Sequence, residues 1–273
     1  MLFSLRRRLR RFPILFAAPA LILSTAPALG SPWGRQDGAA FISTRADYFR
    51  ARGNFFVGGP EQEEGRFSRF ESNTYAEYGL TPAITLGAKA VYGSSWITNG
   101  VETRGGTGFS EIEGFVQTTL WRGRKDIVSL RLTGGAPSRF DTGVRPGLKN
   151  DGADLEARAL YGRNIAAAPV KIFSAVELGY RRRFGDAADQ ARLDVMAGFE
   201  PSPRLLLLVE TFSTLSMRNE APGGADFDAV KIQPSIVWRA AKRWSVQAGM
   251  THEAAGRGLV LGNTYFVGLW TEF

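Results

Sequence analysis

The chain has 273 residues, no cysteine and a formal net charge of +8 at pH 7. A surplus of Lys and Arg would suit a nucleic-acid-binding protein, but five of the arginines lie within the first eleven residues. Without residues 1–30 the chain carries 29 basic and 26 acidic residues, or +3, which argues against nucleic acid as a partner. The absence of cysteine excludes disulfides, so burial or backbone pairing must hold the fold together.

The first thirty residues predict a secretory signal peptide. A basic region between Arg6 and Arg11 precedes an apolar run at 12–23, and Ala28 and Gly30 stand at the −3 and −1 positions of a cut before Ser31. The apolar run is too short for a membrane-spanning helix, although an uncleaved N-terminal anchor is the alternative. The predicted domains are therefore a cleaved segment 1–30, which directs export to the periplasm, and a folded domain 31–273.

From residue 38 to the end, apolar and polar residues alternate with a period of two, and no segment keeps an apolar 3.6-residue period. This pattern predicts an all-β protein whose strands are much longer than the five or six residues usual in globular proteins. Connections rich in Pro and Gly divide the chain into twelve strands. We expect them at roughly 38–52, 66–80, 83–94, 106–120, 126–136, 152–164, 169–181, 190–200, 204–215, 227–239, 243–253 and 259–273.

The connections alternate between short turns and longer loops. The short ones are 81–82, 121–125, 165–168, 201–203 and 240–242, and the longer ones are 53–65, 95–105, 137–151, 182–189, 216–226 and 254–258. An even number of long strands with short turns at one end is typical of outer-membrane barrels, whereas a soluble sandwich would need Greek-key crossovers and shorter strands. We predict a closed, antiparallel up-and-down transmembrane β-barrel of twelve strands in the bacterial outer membrane, with both termini on the periplasmic side.

Charged side chains fall on one face of most predicted strands and apolar side chains on the other. In strand 169–181, for example, Val176 and Leu178 alternate with Glu177 and Arg181. In a membrane barrel the apolar face meets lipid and the charged face lines the interior. Aromatic residues near strand ends would form the interfacial girdles, namely Tyr48, Tyr78, Tyr92, Trp96, Trp121, Tyr180, Trp238 and Trp244.

The last nine residues, YFVGLWTEF, place Tyr265, Val267, Leu269 and Phe273 on one face of the final strand. The pattern resembles the C-terminal insertion signal of Gram-negative outer-membrane β-barrels, which ends in an aromatic residue after alternating apolar residues. The resemblance implies recognition by the barrel-insertion machinery. Thr271 departs from it, because an apolar residue is usual at that position.

The only histidine, His252, falls on the predicted lipid-facing side of its strand with Trp244, Val246 and Met250. A catalytic triad needs a histidine beside a hydroxyl and an orienting group, and no serine-rich motif lies near His252. We therefore expect no catalytic residue and no enzyme activity. We also expect no metal site and no cofactor, since His252 has no histidine partner.

Charged side chains on the predicted inward face are the candidate functional residues. They are Glu71, Glu77, Lys89, Glu111, Glu113, Arg131, Arg158, Lys171, Arg181, Arg192, Lys231 and Arg239. A wall of acids facing a wall of bases would set a transverse field across a water-filled lumen. In the alternative interpretation these groups pair and fill the barrel, because Glu156, Glu177 and Glu210 lie among the bases. We expect a conducting lumen, although twelve strands stand between the filled eight-stranded barrels and the open sixteen-stranded ones.

The segment 75–87, YAEYGLTPAITLG, resembles a hairpin common in small bacterial outer-membrane proteins. These include phenol-pathway porins and XagA-type proteins of exopolysaccharide loci, and the segment 33–38, WGRQDG, is more similar to the XagA type. The resemblance implies a role in secreting or anchoring a polysaccharide during biofilm formation. It also implies, as partners, a polysaccharide and the proteins that synthesise or export it.

These observations predict a monomeric outer-membrane channel for passive passage of a polar solute, more specifically a saccharide or an exopolysaccharide. The alternative is a non-conducting surface adhesin or structural barrel that acts through its loops, among them the acidic loop Glu61–Glu64. Outer-membrane lipid and the insertion machinery are the other expected partners.

Overall fold

The computed structural model describes residues 31–53, 65–98, 103–141, 152–167, 170–185, 187–217, 226–257 and 261–273. The predicted signal peptide, residues 1–30, and the acidic residues 61–64 lie outside these ranges. No helix among the described residues is long and apolar enough to cross a membrane.

The described residues form thirteen β-strands. These are β1 (Ala40–Gly53), β2 (Gly65–Gly79), β3 (Ile84–Thr98), β4 (Thr103–Arg122), β5 (Asp126–Gly135), β6 (Arg139–Asp141), β7 (Asp154–Ala166), β8 (Lys171–Arg183), β9 (Gln190–Ser202), β10 (Leu205–Ser216), β11 (Asp228–Arg239), β12 (Trp244–Arg257) and β13 (Gly262–Glu272).

Every pairing is antiparallel, and, apart from the short β6, strands that follow one another along the chain are neighbours in the sheet. β6 continues β5 along the edge of β4, so these two strands occupy one position and the barrel has twelve. β1 pairs with β13, and hydrogen bonds of 2.9 and 3.2 Å between the main chains of Ala40 and Phe273 complete this seam. The predicted closed, twelve-stranded up-and-down barrel is confirmed, and closure pairs the edges of β1 and β13 with each other.

Two predicted loops are shorter than expected. Residues 95–105 were predicted as a loop, but β3 runs to Thr98 and β4 starts at Thr103, and the hydroxyls of these two residues lie 2.9 Å apart. Residues 254–258 were also predicted as a loop, but β12 runs to Arg257, whose guanidinium lies 2.9 Å from the Asp228 carboxylate. The predicted boundaries were wrong because cross-strand polar pairs continue the sheet beyond the apolar alternation.

The two surfaces of the barrel differ as the alternation predicts. Large apolar side chains such as Leu178, Ile236 and Val267 are exposed on the outside, whereas Glu177 and Gln233 are buried inside. Of the predicted girdle aromatics, seven are exposed on the outer surface and Trp96 is half-buried. An apolar exterior around a closed ring of paired strands is the arrangement that a lipid bilayer requires of a β-barrel.

Candidate functional site

The inside of the barrel is the candidate functional site, and charged side chains occupy its middle. Arg158 of β7 is central to them, because its guanidinium forms ion pairs with Glu156, Glu177 and Asp194. The side chain of Arg158 is only 8% exposed and that of Glu156 only 2%. Charges with so little access to water interact much more strongly than exposed ones, provided that each keeps its partners.

A second arginine joins this cluster to β4, which lies three strand positions away around the barrel. Arg181 of β8 lies 2.7 Å from Glu113 of β4, 2.7 Å from Glu156 and 3.5 Å from Asp154. Arg192 of β9 adds a contact of 3.0 Å to Glu156. Because β4 and β8 are not neighbours in the sheet, the Arg181–Glu113 pair crosses the interior rather than following the wall.

The structure places all twelve predicted lining residues on the inward face of their strands, and each lies within 4 Å of an opposite charge. Outside the two clusters above, the pairs are Glu71–Arg69, Glu77–Arg35, Lys89–Glu111, Arg131–Glu177, Lys171–Glu200, Lys231–Glu253 and Arg239–Glu200. Most of these pairs join residues of the same strand or of adjacent strands. Acids and bases are therefore interleaved on the interior surface. The expectation that an acidic wall faces a basic wall is wrong.

At the short-turn end the interior also contains a cluster of apolar side chains, beside ion pairs such as Glu77–Arg35. The side chains of this apolar floor are Phe41, Tyr75, Phe173, Ala175, Met196, Leu206, Leu208, Val237 and Trp270, with Trp33 and Phe115 packed against them. The rings of Phe41 and Trp270 meet edge to face at 5.7 Å, and Tyr75 stacks on Phe115 at the same distance. Such ring pairs each contribute about 0.5–1.5 kcal/mol beyond their burial, so the floor is a cohesive unit.

The sequence analysis missed this floor, although its signal is present in the strands. Inward-facing rings alternate there with inward-facing glycines on the neighbouring strand, as at Phe173 and Gly198. A Cβ atom on Gly198 would overlap the Phe173 ring, so glycine provides the room in which the ring lies against the wall.

Residues 31–36 are called the N-terminal segment below; Gln36 is exposed, and the residues before it lie inside the barrel against this floor. Ser31 and Pro32 are almost fully buried. The carbonyl of Ser31 accepts hydrogen bonds from Gln117 Nε2 at 3.1 Å and from Arg131 Nη2 at 3.4 Å. The carbonyl of Pro32 accepts one from Ser129 Oγ at 2.7 Å. Side chains of β4 and β5 therefore hold the main chain of the segment.

Two further side chains fix the rest of the N-terminal segment. The ring of Trp33 meets that of Phe173 edge to face at 5.8 Å, and it covers Gly162, where a Cβ atom would lie 2.8 Å from the ring. The guanidinium of Arg35 pairs with Glu77 and lies 4.2 Å from the centre of the Phe41 ring. In the sequence, residues 33–38 indicate only a resemblance to XagA-type proteins, because no local feature of these residues indicates a position inside the barrel.

The four residues of the predicted insertion signal lie on the outer surface. Tyr265, Val267, Leu269 and Phe273 are all exposed there. Thr271, the residue that departs from the pattern, pairs with Trp244 across to β12 and is only 8% exposed. The exposed apolar face is therefore continuous except at this one position.

The connection between β8 and β9, at the long-loop end, is held by Asp189. Its carboxylate accepts hydrogen bonds from Tyr180 Oη at 2.6 Å, Arg182 Nη1 at 2.8 Å and Arg183 N at 3.0 Å. These bonds, that of Tyr180 above all, lower the pKa of Asp189 to about 2. A carboxylate with a lowered pKa loses its stabilising contacts only when the pH falls through that value, so this connection keeps them down to about pH 2.

His252 lies on the outward face of β12, where Nδ1 is 2.8 Å from Asn263 Oδ1. An exposed hydrogen bond of this kind contributes little to stability. We expect His252→Ala to change the free energy of unfolding by less than about 0.5 kcal/mol and to leave any ester hydrolysis by the purified protein at background. Urea unfolding and a chromogenic ester assay, with wild type as the control, would measure both. A hydrolytic activity lost in His252→Ala would contradict this expectation.

The fold resembles solved outer-membrane β-barrels. The COG4313 outer membrane channel from Pseudomonas putida F1 matches with a TM-score of 0.68 at 12% identity, over 91% of this chain and 100% of that one. The NanC porin matches with 0.56 at 7% identity, over 84% and 98%. The translocator domain of the autotransporter NalP from Neisseria meningitidis matches with 0.53 at 11% identity, over 86% and 88%.

No protein-family model matches the sequence, and no curated protein matches it significantly. At identities this low the structural likeness concerns the fold alone. The chain has the fold of an outer-membrane β-barrel.

Proposed function

We propose that the protein is a passive channel of the bacterial outer membrane for a polar solute. The observation that carries this proposal is the contrast between the two surfaces of a closed barrel, apolar outside and rich in charge inside. A bilayer requires such an exterior, whereas a barrel with a purely structural role could fill its interior with apolar side chains. Two of the structural neighbours are a channel and a porin by name, which supports the same function.

The more specific part of the proposal concerns the solute. A saccharide or an exopolysaccharide suits an interior that presents amide and hydroxyl groups beside the ion pairs, as at Gln117, Gln233 and Thr251. The hairpin at 75–87 and the segment 33–38, which resemble XagA-type proteins, support export of a polysaccharide linked to biofilm formation. The partners would then be that polysaccharide and the proteins that make or move it, and the barrel would act as a monomer after export through the periplasm.

A second function, that of a non-conducting adhesin or structural barrel, is favoured by one observation. Paired charges, the apolar floor and the N-terminal segment together fill much of the described interior. If these groups never move, the barrel does not conduct.

Planar-bilayer recording separates the two functions. We expect purified, refolded protein to give small and intermittent current steps, because the interior is polar but constricted at one end. Added oligosaccharide should reduce the current in proportion to its concentration. A current that no added saccharide reduces would exclude this class of solute. Heat-modifiable gel mobility should first confirm that the sample is folded. Folded protein that carries no current, even without residues 31–36, would exclude the channel and leave the adhesin.

A further inference from the structure

We propose that the N-terminal segment, residues 31–36, is a displaceable plug, and that the barrel wall contains a built binding site for it at the short-turn end. The proposal rests on the channel function proposed above, because a plug can act only in a barrel through which a solute passes. It concerns a ligand that is part of this chain, and it predicts a closed and an open form of one barrel.

The barrel wall directs several buried hydrogen-bond donors toward the N-terminal segment. Gln117 and Arg131 face each other on β4 and β5, and the guanidinium of Arg131 donates to Gln117 Oε1 at 3.0 Å. This bond turns Gln117 Nε2 toward the carbonyls of Ser31 and Pro32, which it reaches at 3.1 and 3.2 Å. A buried donor without a partner costs about 1–3 kcal/mol, so the site must hold either the segment or other oxygen atoms.

The shape of the barrel wall also matches the N-terminal segment. A Cβ atom on Gly79 would overlap the carbonyl of Gln36, and one on Gly162 would lie 2.8 Å from the Trp33 ring. Gly34 in turn fits against Thr85, whose Oγ1 accepts a hydrogen bond of 2.8 Å from the main-chain N–H of Arg35. Matching shape, hydrogen bonds and an aromatic contact define a binding site rather than a chance position.

The N-terminal segment can leave the interior without disrupting the strand pairing of the barrel. Among the described residues, its main-chain to main-chain hydrogen bonding begins at Gln36, whose carbonyl accepts from Ala39 N at 3.0 Å. Gly38 has a φ of +74°, in the left-handed region, and this turn sends the segment back into the interior from the start of β1. Rotation about such a turn would withdraw residues 31–36 while every strand pairing of β1 stays in place. Water or a solute with carbonyl or carboxylate oxygens could then take up the donors.

A disulfide lock tests the proposal, because the chain has no cysteine of its own. A Cβ atom on Gly34 would lie 3.9 Å from the Thr85 Cβ, within the roughly 3.5–4.5 Å that a disulfide needs. The double variant Gly34→Cys, Thr85→Cys therefore joins the segment to β3. The matched control is Thr44→Cys, Thr74→Cys, an outward cross-strand pair on β1 and β2 with hydroxyls 3.4 Å apart, which joins only the wall.

We expect oxidation of the Gly34–Thr85 variant to lower the open probability in planar bilayers at least tenfold, and reduction to restore it. The control variant should conduct alike in both states. Trp33→Ala, which removes the plug's contact with Phe173 and changes no strand residue, should raise the open probability several-fold over wild type.

Three outcomes would overturn the plug. In the first, wild type conducts, and the oxidised and reduced forms of the locked variant conduct alike. This result would support the channel function and exclude the plug. In the second, the cysteine pair fails to cross-link in folded protein, so the segment does not lie where the site requires. In the third, no variant conducts, Trp33→Ala and a chain without residues 31–36 included, so the channel function fails and the plug with it.

Discussion

Replacing Arg158 with methionine should lower the free energy of unfolding by about 3–5 kcal/mol, the cost of removing one partner from a buried ion pair. The guanidinium lies among Glu156, Glu177 and Asp194, and its side chain is only 8% exposed. Without it three carboxylates would share a poorly hydrated space and repel one another. Urea unfolding in lipid vesicles, followed by tryptophan fluorescence, would measure the change.

Arg182→Met is the matched control, since its guanidinium is also paired, with Asp189 at 2.8 Å, but is 61% exposed. An exposed pair contributes little to stability, so this variant should be close to wild type. A triple variant with Arg158→Met, Glu177→Gln and Asp194→Asn should regain part of the loss, because it removes two of the three carboxylate charges that surround Arg158. Equal and small effects of Arg158→Met and Arg182→Met would show instead that water screens the interior cluster.

Removing Phe273 should reduce the amount of folded barrel in the outer membrane at least tenfold. The deletion takes away both main-chain hydrogen bonds between Phe273 and Ala40, which close the seam between β1 and β13. It also removes the last residue of the exposed apolar face formed with Tyr265, Val267 and Leu269, the face that resembles an insertion signal. Heat-modifiable gel mobility of the membrane fraction would measure the folded protein.

Two controls separate the possible causes of that loss. Phe273→Trp keeps both the main-chain bonds and an aromatic ring, so it should assemble almost as wild type does. Refolding the deletion variant into pure lipid vesicles tests the seam alone, because no insertion machinery is present. Normal assembly of the deletion variant in cells would contradict both roles of Phe273.

The strand number and the two faces of the barrel could be predicted because they are local properties. A period of two and a turn residue every ten to fifteen positions can be read from neighbouring residues without knowledge of the fold. The same locality explains the errors at 95–105 and 254–258, where polar residues such as Thr98 and Thr103 pair across strands. Nothing in the alternation distinguishes a paired threonine from one in a loop.

The partners inside the barrel could not be predicted from the alternation. Which inward residues meet depends on the tilt and stagger of the strands, which bring Arg181 of β8 to Glu113 of β4. The sequence shows that both face inward but not that they touch. The N-terminal segment was missed for a similar reason, since Gln117 and Ser129 bind it through positions 85 or more residues away in the chain.

The seam between β1 and β13 also bears on how the protein folds. Its register joins residues such as Phe41 and Glu272, almost the two ends of the domain, so the contacts that close the ring have the greatest sequence separation in the fold. Contacts of this kind make folding slow, because the loop-closure entropy must be lost before they form. The ring can therefore close only after the last strand has emerged, and until it closes β1 and β13 each present a free edge. A chaperone or a folding catalyst that covers these two edges would act during that interval.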